Sequence, residues 1–186
     1  MKVEATALPG VLLVESVVHR DARGFFLETY HAGKYAAAGI DAVFVQDNHS
    51  RSEGPILRGL HAQIQRPQGK LVRAIEGTIF DVAVDIRRGS PTFGRWFGCE
   101  LSAANCRQLW IPEGFAHGFC VVAGPVQVEY KCTALYDRDD ELTIAWNDPE
   151  IGITWPIASP LLSPKDAAAP TLAQARERLP RFSARP

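Results

Sequence analysis

The sequence predicts an all-β sandwich or barrel carrying a few short peripheral helices. Short apolar runs recur along the chain, and Gly-, Pro- and Asp-containing turns separate them. Helical signals are confined to an alanine-rich stretch at 34–38 that closes at Gly39, and to 171–179. The 186 residues suffice for one sizeable core and show no internal repeat or linker, which predicts a single domain over 1–186.

Taken in order, residues 11–18 are apolar and β-branched, the mark of a strand. A polar turn, His19-Arg20-Asp21-Ala22-Arg23-Gly24, leads into a second strand at 25–30. Residues 43–48 form a third, ending in Gln46-Asp47-Asn48, and 49–55 read as a flexible loop. Two apolar strands within 56–73 then carry Arg58, His61 and Lys70 into the core. Residues 71–76 and 79–86 read as an antiparallel pair around Gly77. In the second of these, Phe80, Val82, Val84 and Ile86 alternate with Asp81 and Asp85, the pattern of a half-buried strand. After the turn Arg87-Arg88-Gly89-Ser90-Pro91 come strands at 95–101, 108–111, 117–122 and 126–134. Pro112-Glu113-Gly114 and Gly124-Pro125 separate the last three. Beyond Trp146 the chain is proline-rich, and 180–186 is expected to fray.

Composition bounds the function classes. Hydrophobic content of 46% and charged content of 22% describe an ordinary soluble globular chain. Lys+Arg 20 against Asp+Glu 21 gives a net charge of -1, so neither nucleic acid nor a membrane surface is an expected partner. The first residues lack the apolar run of a signal peptide and no segment is long enough to span a bilayer, which predicts a cytoplasmic protein. The 4 cysteines, Cys99, Cys106, Cys120 and Cys132, have no C-x-x-C spacing and read as small hydrophobes in a reducing compartment.

Arg58, His61 and Lys70 are the chemically suggestive group. Buried charge is costly unless it is paired or acts on a ligand. A base near neutral pH beside a guanidinium and an ammonium suits a site that holds an anion and moves a proton. A structural histidine with two exposed cations would explain one such strand; further polar stretches favour a site. Arg58 and His61 differ by three positions and would face oppositely on a regular strand, so an irregularity is predicted near Gly59.

Ile111-Pro-Glu-Gly-Phe-Ala-His117 has the P-x-G-x-x-H form of the second signature of cupin jelly rolls. The first signature needs H-x-H and a glutamate as metal ligands; Leu-His61-Ala-Gln63 offers one histidine. A cupin-like jelly roll without metal or other cofactor is therefore expected. Further motifs carry a more specific likeness. Arg-Gly-Leu-His61, Gln-Gly-Lys70-Leu-Val-Arg, Gly-Ser-Pro-Thr-Phe-Gly94 and Ile-Pro-Glu-Gly-Phe-Ala-His-Gly-Phe119 occur in this order. Glu129-Tyr130-Lys-Cys-Thr and Leu162-Ser163-Pro-Lys165-Asp166 follow. Over residues 8–168 the chain resembles the dTDP-4-dehydrorhamnose 3,5-epimerase family.

That resemblance implies a homodimer with N-terminal strand exchange and a dTDP-linked 4-keto-6-deoxyhexose substrate. It implies His61 as general base, Asp166 as its orienting carboxylate, Tyr130 as the acid on the opposite face of the sugar, and Lys70 as the cation near the 4-keto oxygen. It implies substrate contacts from Arg23, Phe26, Glu28, Gln46, Asp47, Asn48, Arg58, His117, Glu141 and Lys165, with Arg23, Phe26 and Glu28 reaching across from the partner subunit. The chemistry agrees. Protons at C3 and C5 are acidified by the carbonyl between them, and the enolate left behind needs a positive charge at its oxygen. Histidine, with an unperturbed pKa of about 6.5, suits the base, and Val126, Val128 and Tyr130 share one inward strand face. Asp166 alone would read as an exposed loop acid.

Two departures from the family pattern fall near the sugar pocket: Ala62 where an aromatic residue is common, and Ala134-Leu135-Tyr136 where many members carry Asp-Tyr-Tyr. The turn at 64–68 is also compact. A single-centre epimerase and a non-catalytic sugar-nucleotide-binding jelly roll stand as the alternatives.

Overall fold

A computed structural model describes residues 1–183. The strands are β1 (Lys2–Ala5), β2 (Leu12–Glu15), β3 (Val18–Asp21), β4 (Gly24–Leu27), β5 (Gln46–Glu53), β6 (Leu57–Gln63), β7 (Lys70–Asp85), β8 (Trp96–Ser102), β9 (Arg107–Ile111), β10 (Phe115–Cys132) and β11 (Glu141–Thr143). The helices are short: α1 (Ala32–Ala37), α2 (Pro164–Ala167) and α3 (Leu172–Ala175), the last running into a 3₁₀ turn at Arg176–Arg178. The arrangement is the expected all-β, cupin-like jelly roll.

The long strands β7 and β10 pair antiparallel along nearly their whole length, from Phe115 opposite Asp85 to Cys132 opposite Lys70. Each half of this ribbon has its own outer neighbours. The Lys70–Arg73 end pairs with β9, which continues to β2 and β1, and the matching end of β10 pairs with β5. Toward the other end β7 pairs with β8, and β10 with β6 and then β11. The ribbon thus belongs to both walls, and the main core lies between them. Val72, Leu109, Val126 and Val128 from one wall meet Ile79, Ala83, Leu101, Phe115 and Phe119 from the other. The outer face of the β6–β11 wall is covered by the C-terminal segment through Ile151, Leu172, Ala175 and Leu179. Tyr35 of α1, with Ile40, covers the outer side of β2 and β9.

The ribbon corrects two expectations. Residues 71–76 and 79–86 are one strand, and so are 117–122 and 126–134. Gly77 and the Gly124-Pro125 pair stand at register shifts inside the ladder instead of at hairpin turns. Gly77, at φ +69°, lies so close to the Pro125 carbonyl that no Cβ would fit, which is why a glycine sits there. The expected flexible loop at 49–55 is also mostly strand. Ser50 and Ser52 point inward, His49, Arg51 and Glu53 outward, and the ladder to β10 holds this polar segment without help from apolar side chains. The run at 11–18 breaks into β2 and the start of the β3–β4 hairpin.

The tail is anchored where fraying was expected. Arg88 donates its backbone N–H to Pro180 O at 2.8 Å, and Phe182 donates to Arg88 O at 2.9 Å. The Arg87 guanidinium lies between the rings of Phe115 (4.3 Å) and Phe182 (5.1 Å). Residues 184–186 lie outside the described part.

Asp81 and Asp85, read as the solvent side of their strand, are both fully buried. Their face also carries Ile79 and Ala83 and points into the main core. The Asp85 carboxylate accepts from Arg87 N, Nε and Nη2 at 3.0, 2.9 and 2.7 Å, Ser90 Oγ at 2.6 Å and Thr92 Oγ1 at 2.7 Å. Burial alone would raise this carboxyl, but the donors of Arg87, Ser90 and Thr92 outweigh it and hold it below the usual aspartate range. Its stabilisation is therefore complete above the unfolded pKa of about 3.9 and is lost as pH falls through the lower folded value. Asp85→Asn is expected to cost about 3 kcal/mol in urea unfolding and to flatten the loss of stability in acid; an unchanged acid limb would contradict this account.

Candidate active site

A cleft of about 700 Å³ opens at one end of the barrel, lined by Arg58, His61, Lys70, His117, Tyr130, Lys165 and Asp166 among others. That volume lies within the range typical of small-molecule sites. The side chains come from β6, both ends of the β7–β10 ribbon, and the segment around α2.

Arg58 and His61 both reach this cleft because β6 carries one extra residue relative to β10. Arg58 pairs with Phe119, while His61 pairs with His117, so three steps on β6 match two on β10. Gly59, at φ +131°, absorbs the surplus. A Cβ there would meet Gly118 Cα at 2.5 Å and His117 O at 3.0 Å, and one on Gly118 would meet Arg58 O at 2.8 Å. The two glycines let the strands approach and turn both functional side chains inward. Gly59→Ala is expected to destabilise the fold by about 3 kcal/mol, read as a lower denaturation midpoint. A variant of wild-type stability and activity would show that the bulge does not need glycine.

His61 Nε2 lies 2.6 Å from Asp166 Oδ1. Asp166 is only 3% exposed and sits in α2, whose N-cap Ser163 accepts from its backbone N–H at 3.1 Å. Leu161, just before α2, brackets the start of β6: it donates to Pro55 O at 2.7 Å and accepts from Leu57 N at 3.2 Å. This clasp brings a carboxylate distant in sequence onto the histidine. Burial alone would raise the Asp166 carboxyl, but the hydrogen bond and charge of His61, then the Ser163 hydroxyl, bring it below the ordinary range.

The other wall carries Lys70 and Tyr130. Lys70 is buried, and burial pushes its ammonium down from the usual lysine range, opposed by the charges of Cys132, Glu141 and Asp81. Burial likewise raises the Tyr130 phenol, with Arg58 pulling it back. Among the described residues neither head group has a hydrogen bond or ion pair, so both are free for a ligand. His117, 7% exposed, holds Asp81 Oδ1 at 2.7 Å through Nε2. Arg58 donates to Ser52 Oγ at 3.1 Å and Arg51 O at 3.3 Å. Among the described residues no three His, Cys, Asp or Glu side chains converge in a way that could hold a metal ion, and no helix is long and apolar enough to cross a membrane.

Known proteins share this sequence and architecture. The family model described as dTDP-4-dehydrorhamnose 3,5-epimerase matches residues 5–174. The chain belongs to this family. Its members are isomerases acting on carbohydrate. A relative of that name from Pseudomonas aeruginosa is 53% identical over 177 residues, covering 94% of this chain and 98% of its own length. One from Neisseria gonorrhoeae is 55% identical over 183 residues, covering 98% of this chain; the match spans 56% of that longer protein. The crystal structure of a Legionella pneumophila dTDP-6-deoxy-D-glucose-3,5-epimerase, in complex with dTDP-4-keto-L-rhamnose, superposes with a TM-score of 0.96 at 48% identity, covering 98% of this chain and 99% of that one.

The remaining family-derived candidates divide. Gln46, Asn48 and Glu141 line an adjoining pocket of about 270 Å³ together with His61, Lys70 and Tyr130. Gln46 donates to Asn48 Oδ1 at 3.0 Å, Asn48 donates to Cys132 Sγ at 3.5 Å, and Glu141 pairs with Lys165 at 2.7 Å. Asp47 falls on the opposite face of β5, paired with Lys131 at 3.0 Å, because strand residues alternate. Arg23, Phe26 and Glu28 do not line the cleft of their own chain. Arg23 pairs with Asp21, Glu28 with Lys34 at 2.7 Å, and Phe26 stands 70% exposed on the β3–β4 hairpin.

Sequence reasoning missed Asp81 and Tyr136. The signal for Asp81 was present, since both faces of its strand are apolar. Tyr136 stands in the adjoining pocket with its backbone N–H on Gln46 Oε1 at 2.8 Å and its hydroxyl on Glu141 at 3.1 Å.

Proposed function

We propose that this protein inverts C3 and C5 of dTDP-4-dehydro-6-deoxy-D-glucose to give dTDP-4-dehydro-L-rhamnose. The observation that carries the reading is the His61–Asp166 pair, in a cleft that also presents unpaired Lys70 and Tyr130 head groups. Asp166 stays ionised and keeps the proton on Nε2 of His61, leaving Nδ1 as the base. Nδ1 removes the proton from C3 or C5, and the C–H electron pair passes into an enolate at the C4 oxygen. Lys70 offsets the developing charge there. Tyr130 delivers a proton to the opposite face of the same carbon, which inverts it; Tyr130 is then reprotonated from solvent and His61 releases to solvent the proton it took. Arg58 and Lys165 offer donors to the nucleotide and sugar, His117 lines the same cleft, and Gln46, Asn48 and Glu141 extend the site.

The functional unit in this reading is a homodimer with exchanged N-terminal strands. Arg23, Phe26 and Glu28 do not line the cleft of their own chain, and they sit on or beside a hairpin with two exposed aromatic rings, Phe25 and Phe26. Reaching into a second subunit's cleft gives these side chains a use. Asp47, turned away and paired with Lys131, contacts substrate only if that ion pair opens.

The test is proton NMR of dTDP-4-keto-6-deoxyglucose with the protein in heavy water, with a downstream 4-keto reductase trapping the product. Deuterium at both carbons and the rhamnose nucleotide after reduction are expected; deuterium at only one would leave a single-centre epimerase. His61→Ala is expected to slow exchange by about 10³-fold while dTDP still binds, and exchange at the wild-type rate would remove His61 as the base. Tyr130→Phe should still exchange substrate hydrogens but invert about 100-fold more slowly. Normal inversion in that variant would require another acid.

A further inference from the structure

Asp81 and Asp85 lie on the same face of β7, both fully buried, yet their surroundings differ sharply. Asp85 is saturated by the donors of Arg87, Ser90 and Thr92 and has the bonding of a structural carboxylate. Asp81 receives one side-chain donor, His117 Nε2 at 2.7 Å, and its Oδ2 has no hydrogen-bond partner among the described residues. Its strand neighbours across the ladder, Phe119 and Cys99, offer that oxygen nothing ionic. A carboxylate kept in an apolar core with half its hydrogen-bonding capacity unused weakens the fold. A buried carboxylate left half unsatisfied beside a cleft calls for a functional account.

We propose that Asp81 is a positioning residue for His117. This inference rests on the reading of the cleft as a sugar-nucleotide epimerase site. The Asp81 carboxylate accepts the Nε2 proton and so fixes the imidazole tautomer. The other ring nitrogen, Nδ1, has no partner among the described residues and is left as an acceptor for a hydroxyl of the bound hexose. His117 stands directly across the ladder from His61, so this acceptor lies beside the base and orients the ring whose C–H bond is attacked. The Asp81 charge also favours the Lys70 ammonium, against the larger opposing effect of burial. The two histidine–carboxylate pairs thus divide the work: Asp166 readies a base, and Asp81 readies a hydrogen-bond acceptor.

Asp81→Asn separates this role from a structural one. The asparagine amide can donate to Nε2, which moves the imidazole proton to Nδ1 and turns the acceptor into a donor facing the hydroxyl. The expected result is a KM for the 4-keto sugar nucleotide raised about tenfold, with kcat changed less than threefold, and a Tm equal to or above that of the wild type. Nitrogen-15 NMR of the unliganded protein should show His117 protonated on Nε2 in the wild type and on Nδ1 in the variant. In a His117→Ala background, Asp81→Asn should cause no further loss. A variant with wild-type KM and an unchanged His117 tautomer would overturn the proposal. So would an Asp81→Asn protein that fails to fold or melts far below the wild type, because Asp81 would then be structural. Additive losses in the double variant would show Asp81 acting without His117. Wild-type protein that turns over no 4-keto sugar nucleotide would sink the epimerase reading, while the tautomer measurement would still decide the role of Asp81.

Discussion

The antiparallel register of β7 against β10 is the constraint on which the site depends. Lys70 and Asp81 ride on one strand, and His117 and Tyr130 on the other. His61 and Arg58 are placed by β6 pairing to β10, and Asn48 by β5 pairing to the far half of the same strand. Strand side chains alternate, so a slip of one residue anywhere along this ribbon would turn its polar set out of the cleft and its apolar partners into it. The core discourages such a slip, since Val126, Val128, Ile79 and Ala83 must face inward on the same strands. One pattern of burial therefore secures both the fold and the placement of the chemistry.

Much of this was legible in the residues. The all-β class, the inward face of Tyr130, the burial of Lys70 and the irregularity at Gly59 follow from alternation, turn chemistry and spacing. The errors have a common physical origin. Gly77 and Gly124 were read as turns because glycine marks both hairpins and bulges, and only the close approach of two backbones distinguishes them. Asp81 and Asp85 were assigned to solvent by their charge, although Ile79 and Ala83 on their own face pointed to the interior. The strand at 46–53 lacks apolar alternation, and its order comes from the β10 ladder, a tertiary effect that local sequence does not carry. Asp166 belongs to the same class. Nothing near it in the chain indicates the histidine it meets; the likeness to known relatives supplied that.

Burial shifts the ionisation of polar groups that line the cleft. Burial lowers the Lys70 ammonium and raises the Tyr130 phenol, each toward its neutral form. Cys132, Glu141 and Asp81 oppose the first shift and Arg58 opposes the second, without hydrogen-bonding either head group. Such groups respond strongly to a ligand's charge because little solvent competes with it. The Asp85 end of the β7–β10 ribbon shows the opposite arrangement, where Asp85 is fully bonded and the Arg87 guanidinium lies over two aromatic rings. Satisfied and unsatisfied polar groups thus stand on the same ribbon.

The clasp between the start of β6 and the residues around α2 has a further consequence for biosynthesis. His61 emerges from the ribosome before Asp166, which lies 105 positions later. Every nascent chain shorter than that therefore carries the histidine without its carboxylate partner. Residues 180–182, which bond to the backbone of Arg88, arrive later still. A product terminated before Leu161 would carry neither the paired histidine nor the clasp onto β6.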